Sequence, residues 1–167
     1  MNATANMNAT ANQPTHSATC GPLCGPTRRS IALLERIPYS LVALGARIFP
    51  AAVFWQSGQT KLDGWRVSES AVYLFKEDYK LPLLDPVVAA HLAAVMEHVF
   101  PALLVLGLAS RFAAAVLFAM TLVIEVFVYP DAWPTHGVWA TCFLLIVARG
   151  PGVVSIDHLL GGRARKA

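Results

Sequence analysis

The chain has 167 residues, of which 56% are hydrophobic and only 14% charged, with a mean hydropathy of +0.52 and a formal net charge of +3. One domain suits that length, but soluble domains carry about 25% charged residues, and disordered chains are poorer still in apolar residues. These figures exclude a wholly disordered chain and argue against an ordinary water-facing globule.

The first 30 residues differ from the rest. MNATAN occurs twice, at 1–6 and 7–12, and a stretch rich in Ala, Thr, Gly and Pro follows with no apolar periodicity. This predicts a disordered cytoplasmic tail over 1–30 without the apolar core of a signal peptide, and it leaves Met1 and Met7 as alternative starts. Cys20 and Cys24 stand at C-x3-C spacing with no second ligand pair, which fits reduced thiols better than a metal site.

Four apolar segments follow, at about 37–60, 86–110, 112–130 and 132–148. The first three contain one charge each, Arg47, Glu97 and Glu125, and the fourth contains none. A helix rises about 1.5 Å per residue and the hydrocarbon core is about 30 Å thick, so roughly 20 residues span it. The pattern predicts an all-α membrane protein, a four-transmembrane-helix antiparallel bundle, since short connections at Ser110-Arg111 and Asp131–Pro134 force neighbouring helices to run in opposite directions. The small residues Ala90 and Ala94 allow close helix approach, within one chain or between copies in a homo-oligomer.

The long connection, Lys61 to Asp85, holds nine charged residues, yet Val67, Ala71, Val72, Phe75 and Tyr79 recur at spacings of three and four. Such spacing predicts a short amphipathic helix in an outer loop. Lysines and arginines set the orientation. Arg28, Arg29, Arg36, Arg111, Arg149, Arg163, Arg165 and Lys166 fall on one side, and Lys61, Arg66, Lys76 and Lys80 on the other. Both termini are therefore expected in the cytoplasm, with a basic tail at 161–167 and all four tryptophans toward the outer rim. The basic residues follow topology, so no nucleic-acid partner is expected.

Charges inside a bilayer cost several kcal/mol, about 2.5–3.5 on insertion scales, and normally face a partner within the bundle. Arg47, Glu97 and Glu125 are thus the candidate polar site, with Arg47 expected to pair with Glu97 by depth. Pro50 and Pro101 fall four residues after Ala46 and Glu97 and remove the N–H donors that would meet those carbonyls. A carboxyl left unpaired can relay protons or donate a hydrogen bond to a quinone carbonyl; a clamp that only fixes packing is the alternative. Glu97 and His98 are the candidate cofactor residues. A metal or haem site has only one inter-helix pairing available, His91 with His136, with no H-x-x-x-H, E-x-x-H or C-x-x-C-H motif beside it.

The order of several short features resembles the DoxX family of small bacterial four-helix membrane proteins. They are Arg47 in the first span, Gly58 and Lys61 at its outer end, Glu97 in the second, Gly107 and Arg111 after it, and the closing GPG-x-x-S-x-D with Ser155 and Asp157. The likeness runs over 37–160. It implies an inner-membrane protein similar to the DoxD subunit of thiosulfate:quinone oxidoreductases, serving as an accessory subunit beside a redox or metal-handling protein partner in the lipid bilayer. The PDAWPTHG stretch also resembles proteins encoded near Cys-rich, metal-binding peptides, which implies as an alternative a non-catalytic role in metal or oxidative-stress homeostasis.

Overall fold

The computed structural model describes residues 31–164. The predicted tail over 1–30, with Cys20 and Cys24, and the last three residues lie outside them. Residues 31–36 are the described part of a separate unit and form one helical turn in which the Glu35 amide donates to the Ile31 carbonyl.

The remainder is mostly helical. Helix α1 covers Tyr39–Gln59, a two-residue hairpin follows (β1 Leu62–Asp63, β2 Arg66–Val67), and α2 Glu69–Leu74 continues into a wider π turn, Phe75–Tyr79. Then come α3 Pro86–Leu106, α4 Ser110–Phe127, α5 Trp133–Arg149 and α6 Ile156–Ala164, with a 3-10 turn at Pro130–Ala132 before α5. The hairpin pairs Leu62 with Val67 and Asp63 with Arg66 in antiparallel register. Sequence reading did not anticipate it.

The caps explain several boundaries. Asp85 precedes a proline at the first position of α3, and its carboxylate accepts from the amides of Val87 and Val88 at 3.0 and 3.3 Å. Ser68 caps α2 through the amide of Ala71. Helix α3 ends at Gly107, in the left-handed region at φ 73°, with the Leu108 amide returned to the Leu103 carbonyl. Helices α1 and α3 both continue through their internal prolines, Pro50 and Pro101.

The four long helices pack in a ring, with α1 along α3 and α4 along α5, closed by lighter contacts of α3 with α4 and α1 with α5. Two of them, α3 and α4, are long and apolar enough to cross a membrane. At the end of the ring near the Gly150–Ser155 loop the interior is filled by Ala43, Leu104, Ala113, Ala114, Leu117 and Ile146. Phe54 meets the rings of Trp139 and Phe143 edge-on at 5.7 and 5.8 Å above that layer. Toward the opposite end, the hairpin end, the expected amphipathic segment lays Phe75, Val67, Val72 and Tyr79 on Ala89 and Ala90 of α3. Those small residues serve an approach within the chain.

Two glycines set how α1 and α3 meet. A Cβ on Gly58 would lie 3.1 Å from Glu97 Cβ and 2.6 Å from the His98 ring; one on Gly107 would lie 2.5 Å from Ser155 Cβ and 3.1 Å from Arg47 Nη1. The pair is therefore staggered, with Gly58 against Glu97 and Arg47 against Gly107. At about 1.5 Å per residue, Arg47 and Glu97 lie about 15 Å apart along the bundle. Gly107→Ala should lower stability by at least about 2 kcal/mol, from overpacking and left-handed strain together. Gly137→Ala, with open space around it in α5, should leave the melting temperature unchanged or slightly raised. Thermal unfolding of both variants in detergent checks the contrast, which equal melting temperatures would contradict.

Candidate functional site

Arg47 does not pair with Glu97. Its guanidinium is 2% exposed and donates from Nη1 to the carbonyls of Pro151 and Val154 at 2.9 and 2.7 Å, and from Nη2 to that of Val105 at 2.8 Å. The expected pairing assumed that the helices start flush, and the stagger removes it. Charge-assisted bonds to carbonyls offset part of the desolvation cost without a carboxylate in contact. Neither proline-freed carbonyl takes part.

The Gly150–Ser155 loop that offers two of those carbonyls is tied down on either side. Tyr39 Oη donates to the Gly150 carbonyl at 2.7 Å, and the Val153 amide donates to Ser40 Oγ at 3.0 Å. Helix α4 begins at a left-handed Ala109 with no side-chain cap of its own. Asp157, 48 positions further on, supplies it by accepting from the amides of Ala109 and Ser110 at 2.8 Å each. Burial pushes the Asp157 carboxyl up, but the Ser110 and Ala109 amides and the Arg47 charge outweigh it and hold it below the ordinary carboxylate range. This end of the bundle is an anchor whose polar groups serve one another.

The opposite end is different. A cavity of about 500 Å³ lies among α1, α3, α4, α5 and the π turn. Its walls are chiefly apolar, with Phe54, Met96, Met120, Ile124 and Trp139 among them. Leu92 and Val123 also line it and are 44% and 42% exposed, so it opens sideways between α3 and α4.

Polar groups gather at its edges. Glu97, 3% exposed, meets Lys61 at 2.7 Å between Oε2 and Nζ, a close ion pair without hydrogen-bond alignment. Ser57 Oγ donates to Glu97 Oε1 at 3.3 Å and accepts from Lys61 Nζ at 3.0 Å. Glu125 reaches His136 across α4 and α5, with Oε2 2.5 Å from Nδ1. Tyr79 and Tyr129 face each other at 3.4 Å between hydroxyls near the π turn. The Tyr79 phenol is pushed well up by burial and then by its bond to Tyr129, so it stays protonated at any ordinary pH.

The three intramembrane charges predicted from sequence therefore separate. Glu97 lines this cavity with Lys61, Glu125 stands behind its wall and meets it only through His136, and Arg47 belongs to the anchor. Lys61 stands in the connection just past α1, as the sequence suggests, but it is only 6% exposed and turns back onto Glu97, a partnership the sequence reading missed; the signal available was its G-x-x-K position at the end of a span. His98 lies outside the cavity. Its Nδ1 meets the Ala94 carbonyl at 2.6 Å and its Nε2 the Gln59 amide at 2.8 Å, and with His91 it lines a surface cleft beside Trp65. His91 and His136 thus face different spaces, which corrects their pairing as metal ligands. Among the described residues no three His, Cys, Asp or Glu side chains converge on a metal position. Cys142 is a free, half-buried thiol packed against the core.

A family model described as DoxX matches residues 42–130. No curated protein and no solved structure matches the chain.

Two outcomes test this geometry. Because the folded Asp157 carboxyl is held below its ordinary value of about 3.9, the stability it contributes is complete above that value and is lost as pH falls through the lower folded one. Melting temperature should therefore fall on acidification below about pH 4, and Asp157→Asn should remove part of that dependence. Lys61→Met should cost about 3–5 kcal/mol by leaving Glu97 buried alone, and adding Glu97→Gln should recover most of it. Additive costs in thermal melts would show the two side chains to be uncoupled.

Proposed function

The chain belongs to the DoxX family and is a membrane protein, and on that premise we propose that all four long helices cross the bilayer and that the hairpin-end cavity holds a membrane quinone for a partner oxidoreductase. The opening of that apolar cavity between α3 and α4 carries the reading. A ligand dissolved in lipid would enter along the bilayer and meet hydrogen-bonding groups only at the far wall, as small-molecule sites generally arrange them.

Several observations support the membrane part. Phe49, Val95, Phe112, Val126 and Val138 point outward from all four helices and are exposed, as lipid contact requires. At about 1.5 Å per residue, the 21 residues of α1 reach about 31 Å and the 17 of α5 about 25 Å. Trp55, Trp65 and Trp133 stand exposed near the hairpin end, suited to the headgroup zone. Arg111 and Arg149 lie at the anchor end and Lys61, Arg66, Lys76 and Lys80 at the other, a distribution that supports an orientation with the cavity toward the outer face of a bacterial inner membrane and the anchor end toward the cytoplasm. Exposed Val153, Val154, Leu159 and Leu160 at the anchor end would rest against the inner leaflet.

The residues fit such a ligand in size and chemistry. About 500 Å³ falls within the usual range for small-molecule pockets. Phe54, Met120 and Trp139 offer soft and aromatic surfaces to a flat ring, and Glu97, Lys61 and His136 the polar ends. This chain would bind and orient the ring, and the partner would exchange electrons with it.

Full-length protein purified in mild detergent should release a quinone on organic extraction, detected by absorbance and mass spectrometry. Ala93→Phe, which fills the cavity from α3, should reduce the yield several-fold at unchanged folding. Wild-type protein extracted without quinone, from membranes that contain it, would sink the proposal.

A further inference from the structure

The stagger of α1 against α3 also decides where the hairpin lies. Gly58, one residue before the end of α1, is opposite Glu97, and from Glu97 helix α3 runs on outward to Pro86, about 17 Å further. The hairpin that follows α1 is therefore set beside the outer half of α3 and not beyond its end. Between the two lies the surface cleft, of about 570 Å³, with Trp65 and Arg66 on one side and His91, Val95 and Val99 on the other.

Arg66 is an unusual occupant of such a place. It is exposed, and among the described residues it makes no ion pair, although Asp63 is its register partner across the hairpin. Trp65 beside it is fully exposed, and Val95 and Val99 are 58% and 46% exposed. With α3 crossing the bilayer these side chains stand in the outer leaflet, where a guanidinium without a counter-ion is costly and stretches toward the interface. Lipid phosphates are the anions a bilayer offers at that depth, and a guanidinium meets a phosphate through paired, charge-assisted bonds.

His91 supplies a second polar contact. The Val87 carbonyl accepts from its Nδ1 at 2.7 Å, and its Nε2 has no partner among the described residues. A hydroxyl can donate to that nitrogen or accept from it, so the contact stands in either protonation state. His98, by contrast, has both nitrogens engaged, by the Ala94 carbonyl and the Gln59 amide.

We infer that this cleft holds one anionic phospholipid with a hydroxyl-bearing headgroup, its phosphate on Arg66, a headgroup hydroxyl at His91 and an acyl chain along Val95 and Val99. The inference rests on the reading that α3 crosses the bilayer and is independent of what the cavity binds.

The probes are phosphatidylglycerol, diacylglycerol with the same chains and glycerol phosphate, titrated into the full-length protein in mild detergent and read by native mass spectrometry. One phosphatidylglycerol per chain should be retained at least roughly tenfold more tightly than either of the others, the scale of a hydrogen bond to a charged group. Arg66→Gln should weaken that retention about tenfold. Lys76→Gln, which removes the same charge from the exposed π turn, should change it by less than about twofold.

Phosphatidylglycerol held no better than diacylglycerol would overturn the inference, and needs no variant to fold. Equal losses in the two variants would overturn it in favour of bulk attraction, and glycerol phosphate bound as tightly as the lipid would overturn it in favour of a soluble anion. These results leave the bilayer reading standing. Depth is read separately, in nanodiscs of phosphatidylcholine brominated on its acyl chains, where the emission missing from Trp65→Phe should be strongly quenched. An unquenched Trp65 would put the hairpin outside the bilayer and overturn the inference through its premise.

Discussion

A guanidinium cannot be stored in an apolar bundle without acceptors, and how Arg47 finds them sets the frame for everything else. Its three bonds to Pro151, Val154 and Val105 join the first long helix to the end of α3 and to the loop after α5. Because Gly107 has no side chain, that loop and the guanidinium can both come close to the α3 terminus. The cation is thus held between elements more than fifty positions apart in sequence. Its attachment also fixes how far α1 slides along α3.

That stagger decides the chemistry of the other end. With Arg47 opposite Gly107, Gly58 falls opposite Glu97, and its missing side chain leaves the room Glu97 needs. Ser57 and Lys61 are then at the right height to meet the carboxylate. Had the helices met flush, Arg47 and Glu97 would have neutralised each other, with Lys61 left in the loop. The two ends have consequently different characters. Around Arg47 backbone carbonyls and a remote cap meet most polar groups, leaving the guanidinium Nε and Ser110 Oγ without partners among the described residues. Around the cavity the polar side chains pair two by two, Lys61 with Glu97 and His136 with Glu125, beside an open apolar space that the anchor lacks.

The amphipathic segment links the two descriptions. Ala71 and Phe75 turn inward, and Phe75 with Tyr79 closes the top of the cavity against Ala89 and Tyr129. A connection rich in charge therefore becomes the roof of the apolar space. Its left-handed stop at Lys80, φ 42°, turns the chain back toward the Asp85 cap of α3. In the proposed orientation the roof faces the outer leaflet, so the lateral gap between α3 and α4 is the route from lipid.

The sequence by itself determined the helices, the short links and the face of the outer-loop segment. Those follow from local facts: runs of apolar side chains, helical spacing, and proline, aspartate or glycine at the boundaries. It also singled out Arg47, Glu97 and Glu125, since charges in apolar runs stand out wherever they fall. It did not reveal the hairpin, which is two residues per strand and leaves no alternation to read, nor that Asp157 caps α4 from 48 positions away. Above all it could not say which charge meets which. Depth counted from span ends places Arg47 beside Glu97, but partnership depends on relative sliding, and sliding is set by where small residues allow two backbones to close. Only the tertiary structure decided that register, because it is a property of pairs of helices and belongs to neither one alone.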